Sequence, residues 1–362
     1  MVTSVSFQNF RNLTLKTDLS DSVTLIAAPN GAGKSNFLDG LYHLSRARSF
    51  RPFTEGNTIS WQARIPFARI DASLADGRKL GLVVSEQSGR QTKRYEVNGA
   101  GKRRADFSRH LQTVLFAPQD LDLVSGAPEV RRAELDEFLS MQSRQYENAL
   151  RDYKKVLRQR NTLLGLILEG RASERELPFW DEQLISLGSE LISQRIHLLR
   201  GFVPVVRDLA ASLFGGEVRD LDLSYESKFA DLSGGENIAE RFGEKLEQGR
   251  LKERAAGRTL YGPHRDDLII SFGGRPMRIF GSRGQQRLAA LIIKLAMLDV
   301  LRSEEGTTPV LLLDDIMSEL DPVHRSNMEQ LILDLGIQTV VTGTDTAQFS
   351  ADFVAKTASV KL

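Results

Sequence analysis

The chain has 362 residues, of which 41% are hydrophobic and 26% charged, with a formal net charge of +1 and no cysteine. These are the values of an ordinary globular protein, and they exclude disulfides, thiolate zinc sites and thiol catalysis. So small a net charge gives no general attraction to nucleic acid, so nucleic-acid binding would need a local patch. We find no signal-peptide run and no apolar stretch of about 18 residues, which predicts a cytoplasmic protein without a membrane span.

Residues 1–125 are predicted to begin an α/β domain. Strands are expected at 2–7 and 23–27, and a glycine-rich turn then leads into a helix from about Lys34. Apolar and polar residues alternate over 56–118, where Asp-Gly and Asn-Gly pairs interrupt them. This pattern predicts a run of strands and hairpins.

The character of the sequence changes over residues 126–256, which are predicted to form an inserted helical lobe. Apolar side chains recur there at spacings of four, three and four, as on one helical face: Trp180, Leu184, Leu187 and Leu191. A polar break at 169–173 and a proline at 178 divide the region into an antiparallel helical pair or a small bundle.

Residues 257–362 are predicted to return to the α/β domain, which is therefore discontinuous. The expected elements are strands at 268–272, 277–280, 310–313 and 339–342 and helices at 285–302 and 322–335. The run Val310–Leu313 is wholly apolar, which is typical of a strand buried on both faces of a parallel sheet.

The strongest chemical signal is the segment Ala-Pro-Asn-Gly-Ala-Gly-Lys-Ser between a predicted strand and a predicted helix. In such a loop the backbone N–H groups and the helix N-terminus form an anion site for the phosphates of ATP. Lys34 is expected to reach the β- and γ-phosphates, and the Ser35 hydroxyl to bind Mg²⁺. The residues predicted to bind nucleotide are Ala28, Pro29, Asn30, Gly31, Ala32, Gly33, Lys34, Ser35 and Asn36.

A second signal is the pair of carboxylates, Asp314 and Asp315, that follows the apolar run Val310–Leu313. A central parallel strand delivers such carboxylates to the carboxyl edge of its sheet, beside the phosphate-binding loop. Asp314 is predicted to hold Mg²⁺, directly or through water, and Asp315 to polarise the attacking water as general base. Lys34 and Asp315 are therefore the predicted catalytic residues.

Two segments are similar to the signature motif of ABC ATPases. Leu232-Ser-Gly-Gly-Glu236 is the nearer match in letters, whereas Ser282-Arg-Gly-Gln285 is the nearer match in position, because it opens the helix before the acidic strand. Ser233 is interpreted as a helix N-cap with Glu236 as its capping-box partner. The signature, and with it nucleotide binding, is assigned to Ser282, Arg283, Gly284 and Gln285.

The signature has a consequence for assembly. Its hydroxyl and backbone amides lie at a helix N-terminus, where they can bind a γ-phosphate. In this type of fold they are too far from the phosphate-binding loop of their own chain, so they must reach the nucleotide of a second subunit. The sequence therefore predicts an ATP-dependent homodimer.

The motifs together resemble the RecF family, the bacterial ATPases of the RecF–RecO–RecR recombination-repair pathway. The segments that carry the resemblance are Phe10-Arg-Asn12, 28–35, Arg48-Ser-Phe-Arg51, Pro118 with Asp120-Leu121, Tyr261-Gly-Pro-His-Arg-Asp-Asp267, 282–285 and 313–321. They cover nearly the whole chain, in the family's order. The resemblance implies a globular relative of the SMC ATPases that dimerises with ATP and binds duplex DNA near single-strand gaps. It also implies weak, DNA-stimulated ATP hydrolysis, help to RecO and RecR in loading RecA, and roles in replication and the SOS response.

Two positions depart from the family pattern. Ala28 stands where glycine is usual, and a positive φ there would cost alanine about 1 kcal/mol. Gln119 stands where an acid is expected. It is either a ligand to Mg²⁺ or its water, or a neutral surface change.

Basic residues cluster near 46–51, at 102–104 and at 154–160. Taken alone, each cluster is typical of a solvated face. Lys102, Arg103 and Arg104 lie on a predicted hairpin and are the candidate contact to DNA. Contacts to phosphates would make binding salt-sensitive and weakly specific for sequence.

Two other functions share these nucleotide-binding motifs. The nucleotide-binding subunit of a membrane transporter would need a coupling surface for a membrane partner, and the motifs after Gly257 disfavour that assignment. An SMC-like nuclease accessory protein should show long heptad arms, and residues 126–256 are too short and irregular to form them.

Overall fold

The computed structural model describes residues 1–51, 56–213, 216–230, 232–233, 237–303 and 308–362. The chain divides into two compact units. One joins Met1–Gln119 to Met297–Leu362, and the other is Asp120–Ala296. Within the described ranges, no helix is both long and apolar enough to cross a membrane.

The strands and helices of the described residues are numbered here in chain order. The strands are β1 (Val2–Phe10), β2 (Leu13–Asp18), β3 (Val23–Ala27), β4 (Phe67–Leu74), β5 (Lys79–Gln87), β6 (Arg90–Val97), β7 (Ala100–Lys102), β8 (Thr113–Phe116), β9 (Leu221–Glu226), β10 (Asp267–Phe272), β11 (Arg275–Pro276), β12 (Val310–Leu313), β13 (Thr339–Gly343) and β14 (Ala358–Ser359). The helices are α1 (Lys34–Arg46), α2 (Arg104–Phe107), α3 (Leu121–Ser125), α4 (Pro128–Gln142), α5 (Arg144–Leu168), α6 (Leu177–Ser212), α7 (Ile238–Ala256), α8 (Met277–Phe280), α9 (Arg283–Ser303), α10 (Pro322–Asp334) and α11 (Ala351–Ala355).

The first unit contains a five-stranded parallel sheet in the order β14-β3-β13-β12-β8. All four residues of β12 are buried, which confirms the prediction of a strand covered on both faces. Because the strands run parallel, the segments that follow β3, β13, β12 and β8 meet at one edge of the sheet. The functional residues of this unit collect at that edge.

The first unit also contains a six-stranded antiparallel sheet in the order β2-β1-β4-β5-β6-β7. Alternate residues of β4 are buried, so one face of this sheet lies on the core. Helix α1 packs closely against β1, since a Cβ at Gly40 would lie 2.2 Å from the Phe7 ring. This packing fixes the helix whose N-terminus follows the phosphate-binding loop.

The predicted strand at 277–280 is wrong, because Met277–Phe280 forms the short helix α8. The Met277 carbonyl accepts hydrogen bonds from the Gly281 N–H at 2.9 Å and from the Gln286 side chain at 3.0 Å. These bonds close a helical turn where β11 ends. Strands β3 and β12 and the start of α1 lie where they were predicted.

The second unit contains α3 to α8, most of α9, and a three-stranded sheet in the order β11-β10-β9. It includes residues 257–296, which the sequence analysis assigned to the ATPase domain. Two interactions account for this difference. Strand β10 pairs along its length with β9, and Asp267 accepts two hydrogen bonds from Arg131 of α4, at 2.8 and 2.7 Å.

A buried polar network centred on Arg195 of α6 ties the Tyr261–Asp267 motif to the helices. The Arg195 guanidinium is 2.7 Å from Asp136 and donates to the Tyr146 hydroxyl and to the Pro263 carbonyl. Only 2% of Arg195 is exposed, so this cation depends on its partners for compensation.

Two tyrosines bind the acidic and basic side chains of the motif. The Tyr225 hydroxyl donates to Asp266 at 2.5 Å, and the Tyr153 hydroxyl is 2.7 Å from His264 Nδ1. Burial raises the pKa of Asp266 to about 6, against opposition from the Tyr225 hydrogen bond. Burial, with the Arg265 charge as the next cause, lowers the pKa of His264 to about 4.

These two shifts act on stability with opposite signs. Between about pH 4 and 6 the folded chain binds a proton at Asp266 more tightly than the unfolded chain, so its contribution to stability falls as the pH rises. Between about pH 4 and 6.5 the folded chain binds a proton at His264 more weakly, so its contribution to stability rises with pH.

We therefore expect Asp266→Asn and His264→Asn to change the pH dependence of folding in opposite directions. As the pH rises from 4 to 6, the unfolding free energy of Asp266→Asn should rise relative to that of the unsubstituted chain. The unfolding free energy of His264→Asn should fall relative to it. Each change should amount to at most about 3 kcal/mol. Urea denaturation across this pH range measures both differences. If the two differences changed with pH in the same direction, the opposite pKa shifts of Asp266 and His264 would be contradicted.

Candidate nucleotide-binding site

The loop between β3 and α1 has the backbone of a phosphate-binding loop. Gly31 and Gly33 have φ values of 86° and 113°, a region that favours glycine, and Gly33 caps α1. Ala28 has a negative φ, so alanine carries no conformational cost there. The departure from glycine at this position is therefore accommodated.

Lys34 is buried and folds back over the loop. Its ammonium group donates to the Ala28 carbonyl at 2.5 Å and to the Pro29 carbonyl at 3.2 Å. The positive charge thus lies inside the loop that precedes α1, where the helix N-terminus also favours an anion.

Helix α1 and the strands β13 and β8 each provide a contact to Asp314. The hydroxyls of Ser35 and Thr342 each donate to Asp314 Oδ1 at 3.0 Å, and the Asp314 N–H donates to the Phe116 carbonyl at 2.9 Å. Burial raises the pKa of Asp314, and the bonds from Ser35 and Thr342 oppose that rise. The structure thus places the first carboxylate beside the phosphate-binding loop, as predicted.

Asp315 is held in an unusual conformation beside Asp314. Its φ is 51°, and its N–H donates to the Thr342 hydroxyl at 2.9 Å. Its Oδ1 atom is buried and accepts no hydrogen bond from any described residue. A buried carboxylate oxygen without a donor is costly, and it suits a site that receives a water molecule or another donor with the nucleotide.

Side chains from two motifs, 10–12 and 48–51, brace the first turn of α1. Arg11 donates to Asn36 Oδ1 at 3.0 Å, and Arg51 donates to the same oxygen. The Asn36 amide donates to Asn12 at 2.6 Å, and Asn12 donates to the Gly31 carbonyl at 3.1 Å. The side chain of Asn36, a predicted nucleotide-binding residue, is therefore occupied in holding the loop.

Asp39 is a functional residue that the sequence analysis missed. It is fully buried in α1, 2.6 Å from Arg11, and it accepts hydrogen bonds from the Ser49 hydroxyl and the Phe50 N–H. Asp39 therefore fixes both arginine-containing motifs onto the helix. A single acid inside an amphipathic helix gives no signal in the sequence.

Gln119 lies three residues beyond β8, whose last residue Phe116 is opposite Leu313. It therefore follows a strand that ends at the same sheet edge as Asp314. Its side chain is exposed. These observations agree with either interpretation of Gln119.

The signature segment opens α9 in the second unit with a reciprocal pair of hydrogen bonds. The Ser282 hydroxyl accepts from the Gln285 N–H at 3.2 Å, and the Gln285 side chain accepts from the Ser282 N–H at 3.0 Å. This is a capping box. Ser282, Arg283 and Gly284 are exposed, and so are the preceding apolar residues Ile279 and Phe280.

The capping role predicted for Ser233 is wrong. Helix α7 begins at Ile238, and its N-cap is Asn237, whose side chain binds Glu240. The left-handed backbone of Asn237 marks the turn at which the helix starts. Glu236, the expected capping partner, lies outside the described residues.

The basic cluster at 102–104 lies where β7 meets α2. Lys102 ends the strand, Arg103 caps the helix and Arg104 is its first residue, and all three are exposed. The Arg103 side chain is 87% exposed and is paired with Asp106 at 3.1 Å. A hairpin is present between β6 and β7, but of the three residues predicted to lie on it only Lys102 does, because the chain turns into α2 at Arg103.

Comparison with known proteins identifies a family over almost the entire chain. The model of the RecF/RecN/SMC N terminal domain matches residues 1–360. The DNA replication and repair protein RecF of Roseiflexus castenholzii is 37% identical over 379 residues, covering 98% of this chain and 96% of that protein. The protein of the same name from Herpetosiphon aurantiacus is 38% identical, covering 97% and 94%.

Solved structures give the same result. The recombination mediator protein RecF of the RecFOR pathway, solved as RecF-ATP, has a TM-score of 0.84 at 30% identity, covering 95% of this chain and 91% of that chain. RecF-ATPrS of the same pathway has a TM-score of 0.86 at 29% identity, covering 100% and 96%. An SmcHead bound to the C-winged helix domain of ScpA has a TM-score of 0.53 at 15% identity, covering 98% and 91%, and shows the shared fold.

The two glycines of the loop provide a matched test of its geometry. A Cβ at Gly33 would lie 2.7 Å from Leu13 Cδ2 and 3.0 Å from Asn12 Oδ1. A Cβ at Gly31 would have no other atom within 4 Å among the described residues. We expect Gly31→Ala to cost about 1 kcal/mol of stability through its backbone alone. Gly33→Ala should cost more, because the collision adds to the same strain. Urea denaturation without nucleotide measures both, and equal losses would show that the contacts of Gly33 are unimportant.

Proposed function

The chain belongs to the RecF family, and from that premise and the geometry of the site we propose that it is an ATP-dependent DNA-binding protein of recombinational repair. ATP drives two copies together on duplex DNA near single-strand gaps, and hydrolysis releases them. The protein acts in the cytoplasm, helps RecO and RecR to load RecA, and supports replication and the SOS response. The names of its relatives support this function over a transporter subunit or a nuclease accessory.

The observation that carries the ATPase function is the hydrogen bond from Ser35 to Asp314. A hydroxyl at the start of a helix and a carboxylate at the end of a buried strand form a hard oxygen donor set, which fits Mg²⁺. Ser35 and Asp314 would hold the ion, with Gln119 as a candidate further ligand, and the ion would supply positive charge beside the phosphates of ATP.

Asp315 and Lys34 are the proposed catalytic residues. The unpartnered Asp315 oxygen accepts a hydrogen bond, and then a proton, from the water that attacks the γ-phosphorus. The bond from the γ-phosphorus to the bridging oxygen breaks, and ADP leaves with that electron pair. Lys34 stabilises the charge on the phosphate oxygens.

The second half of the site comes from the partner's signature. Residues 282–284 at the start of α9 are exposed, and their helix N-terminus and the Ser282 hydroxyl are suited to bind a γ-phosphate. Ile279 and Phe280, 64% and 63% exposed, lie just before the signature and suit burial in an interface. We assign Lys102, Arg103 and Arg104 to DNA phosphates, since their side chains are exposed.

Asp315→Asn should separate binding from hydrolysis. The substituted side chain keeps its shape but cannot take the proton, so ATP affinity should stay within about twofold while hydrolysis falls on the order of 100-fold. The ATP-bound dimer should then accumulate. Single-turnover hydrolysis and gel filtration with ATP measure the two effects, and hydrolysis at the original rate would assign the base to another residue.

Mixed dimers test the shared site. Lys34→Ala and Ser282→Arg chains should each be nearly inactive alone. When they are mixed equally, about half the dimers are heterodimers, each with one intact site, so activity should recover to roughly a quarter of the original.

The control for this experiment is Ser233→Arg. Since Ser233 lies before Asn237, outside the start of α7, this variant should hydrolyse ATP normally. An inactive Ser233→Arg with an active Ser282→Arg would place the signature at 232–236 instead.

A further inference from the structure

The loop that precedes β4 presents a tryptophan to solvent. Trp61 is 92% exposed and Ile65 is 64% exposed, and Arg64 between them is also exposed. Tryptophan is usually largely buried, so its near-complete exposure beside a second apolar residue and a cation requires an explanation.

Backbone hydrogen bonds hold this loop in place on its N-terminal side. The Arg11 N–H donates to the Thr58 carbonyl at 2.9 Å, and the Ser60 N–H donates to the Asn9 carbonyl at 2.8 Å. Thr58 is fully buried. The residue directly before Trp61 is therefore anchored to the end of β1.

Two further bonds connect the loop to the β5–β6 hairpin. The Glu86 N–H donates to the Pro66 carbonyl at 2.9 Å, and the Gln91 side chain donates to the Gly56 carbonyl at 2.7 Å. These bonds bring the tip of the hairpin, with the exposed Arg90, to the same end of the antiparallel sheet as Trp61.

An exposed aromatic ring on an anchored backbone, with exposed arginines on the same loop and at the same end of the sheet, has the chemistry of a single-strand nucleic-acid contact. Bases stack on aromatic rings, and arginines bind the phosphates between them. Inside an intact duplex both faces of each base are covered by neighbouring base pairs. The Trp61 ring can therefore stack only on an unpaired or terminal base.

We propose that Trp61 stacks on an unpaired base at the border of a duplex and a gap, with Arg64 and Arg90 on the flanking phosphates. This inference rests on the proposed DNA-binding function, and it supplies what phosphate contacts lack, a means of distinguishing gapped from intact duplex. The basic cluster at 102–104 has no exposed aromatic residue within it and cannot make this distinction.

The sequence allows a direct test, because Trp61 and Trp180 are its two tryptophans. In a Trp180→Phe chain all tryptophan emission comes from Trp61. With ATP present, a duplex containing a central gap should quench that emission more strongly than an otherwise identical intact duplex, which offers only the terminal bases of its two ends. Both duplexes have the same two ends, so the difference reports the gap.

Affinity provides a second measurement. Trp61→Ala should weaken binding to the gapped duplex on the order of tenfold and leave binding to the intact duplex within about twofold. Trp61→Phe should recover most of the loss, because it keeps an aromatic face. Both variants are shown to be folded if their unfolding free energies equal that of the unsubstituted chain.

The outcomes separate this inference from the proposed function. If the unsubstituted chain binds the gapped duplex but Trp61 emission and the affinity of Trp61→Ala are unchanged, the stacking role is overturned and the DNA-binding function stands. Equal quenching by both duplexes also overturns it. If the unsubstituted chain binds neither duplex with ATP, the proposed function fails first.

Discussion

The nucleotide site depends on one buried interaction, the convergence of two hydroxyls on Asp314. Ser35 and Asp314 are 279 positions apart in the chain, and their hydrogen bond joins the start of α1 to the end of β12. Thr342 at the end of β13 donates to the same oxygen and also accepts from the Asp315 N–H. Through these bonds a single sheet edge sets the positions of the phosphate-binding loop, the carboxylate proposed to bind Mg²⁺ and the carboxylate proposed as general base.

A second layer of contacts holds the phosphate-binding loop in place. The Asn36 side chain accepts hydrogen bonds from Arg11 and Arg51 and donates one to Asn12. Asn12 in turn donates to the Gly31 carbonyl. Such preorganisation lowers the cost of ordering the loop when ATP binds. The Arg11 N–H also donates to the Thr58 carbonyl, so Arg11 holds the segment that carries Trp61 as well. The proposed contact of Trp61 with a nucleobase and the phosphate-binding loop are therefore both connected to Arg11.

The parts of the site that could be predicted are those encoded by neighbouring residues. The phosphate-binding loop and Asp314 follow from a local motif between recognisable elements, and both lie where the sequence placed them. The Arg195 network could not be predicted, since His264 and Tyr153 are 111 positions apart and no periodicity links them. The error at Ser233 has another cause. A serine followed three residues later by glutamate is a local pattern that does not fix where a helix begins, and α7 begins at Ile238, with Asn237 as its N-cap.

The capping box at the start of α9 raises the question of whether Ser282 can serve the helix and a phosphate together. A serine hydroxyl has one donor and two acceptor positions. In the cap it acts as acceptor, towards the Gln285 N–H, so its own O–H remains able to donate to a phosphate oxygen. The second bond of the box uses the Gln285 side chain and the Ser282 N–H and leaves the amides of Arg283 and Gly284 out of the box. Capping is therefore compatible with the phosphate binding proposed for the Ser282 hydroxyl and does not compete with it. For this reason Ser282→Arg should abolish the shared site while the helix itself persists.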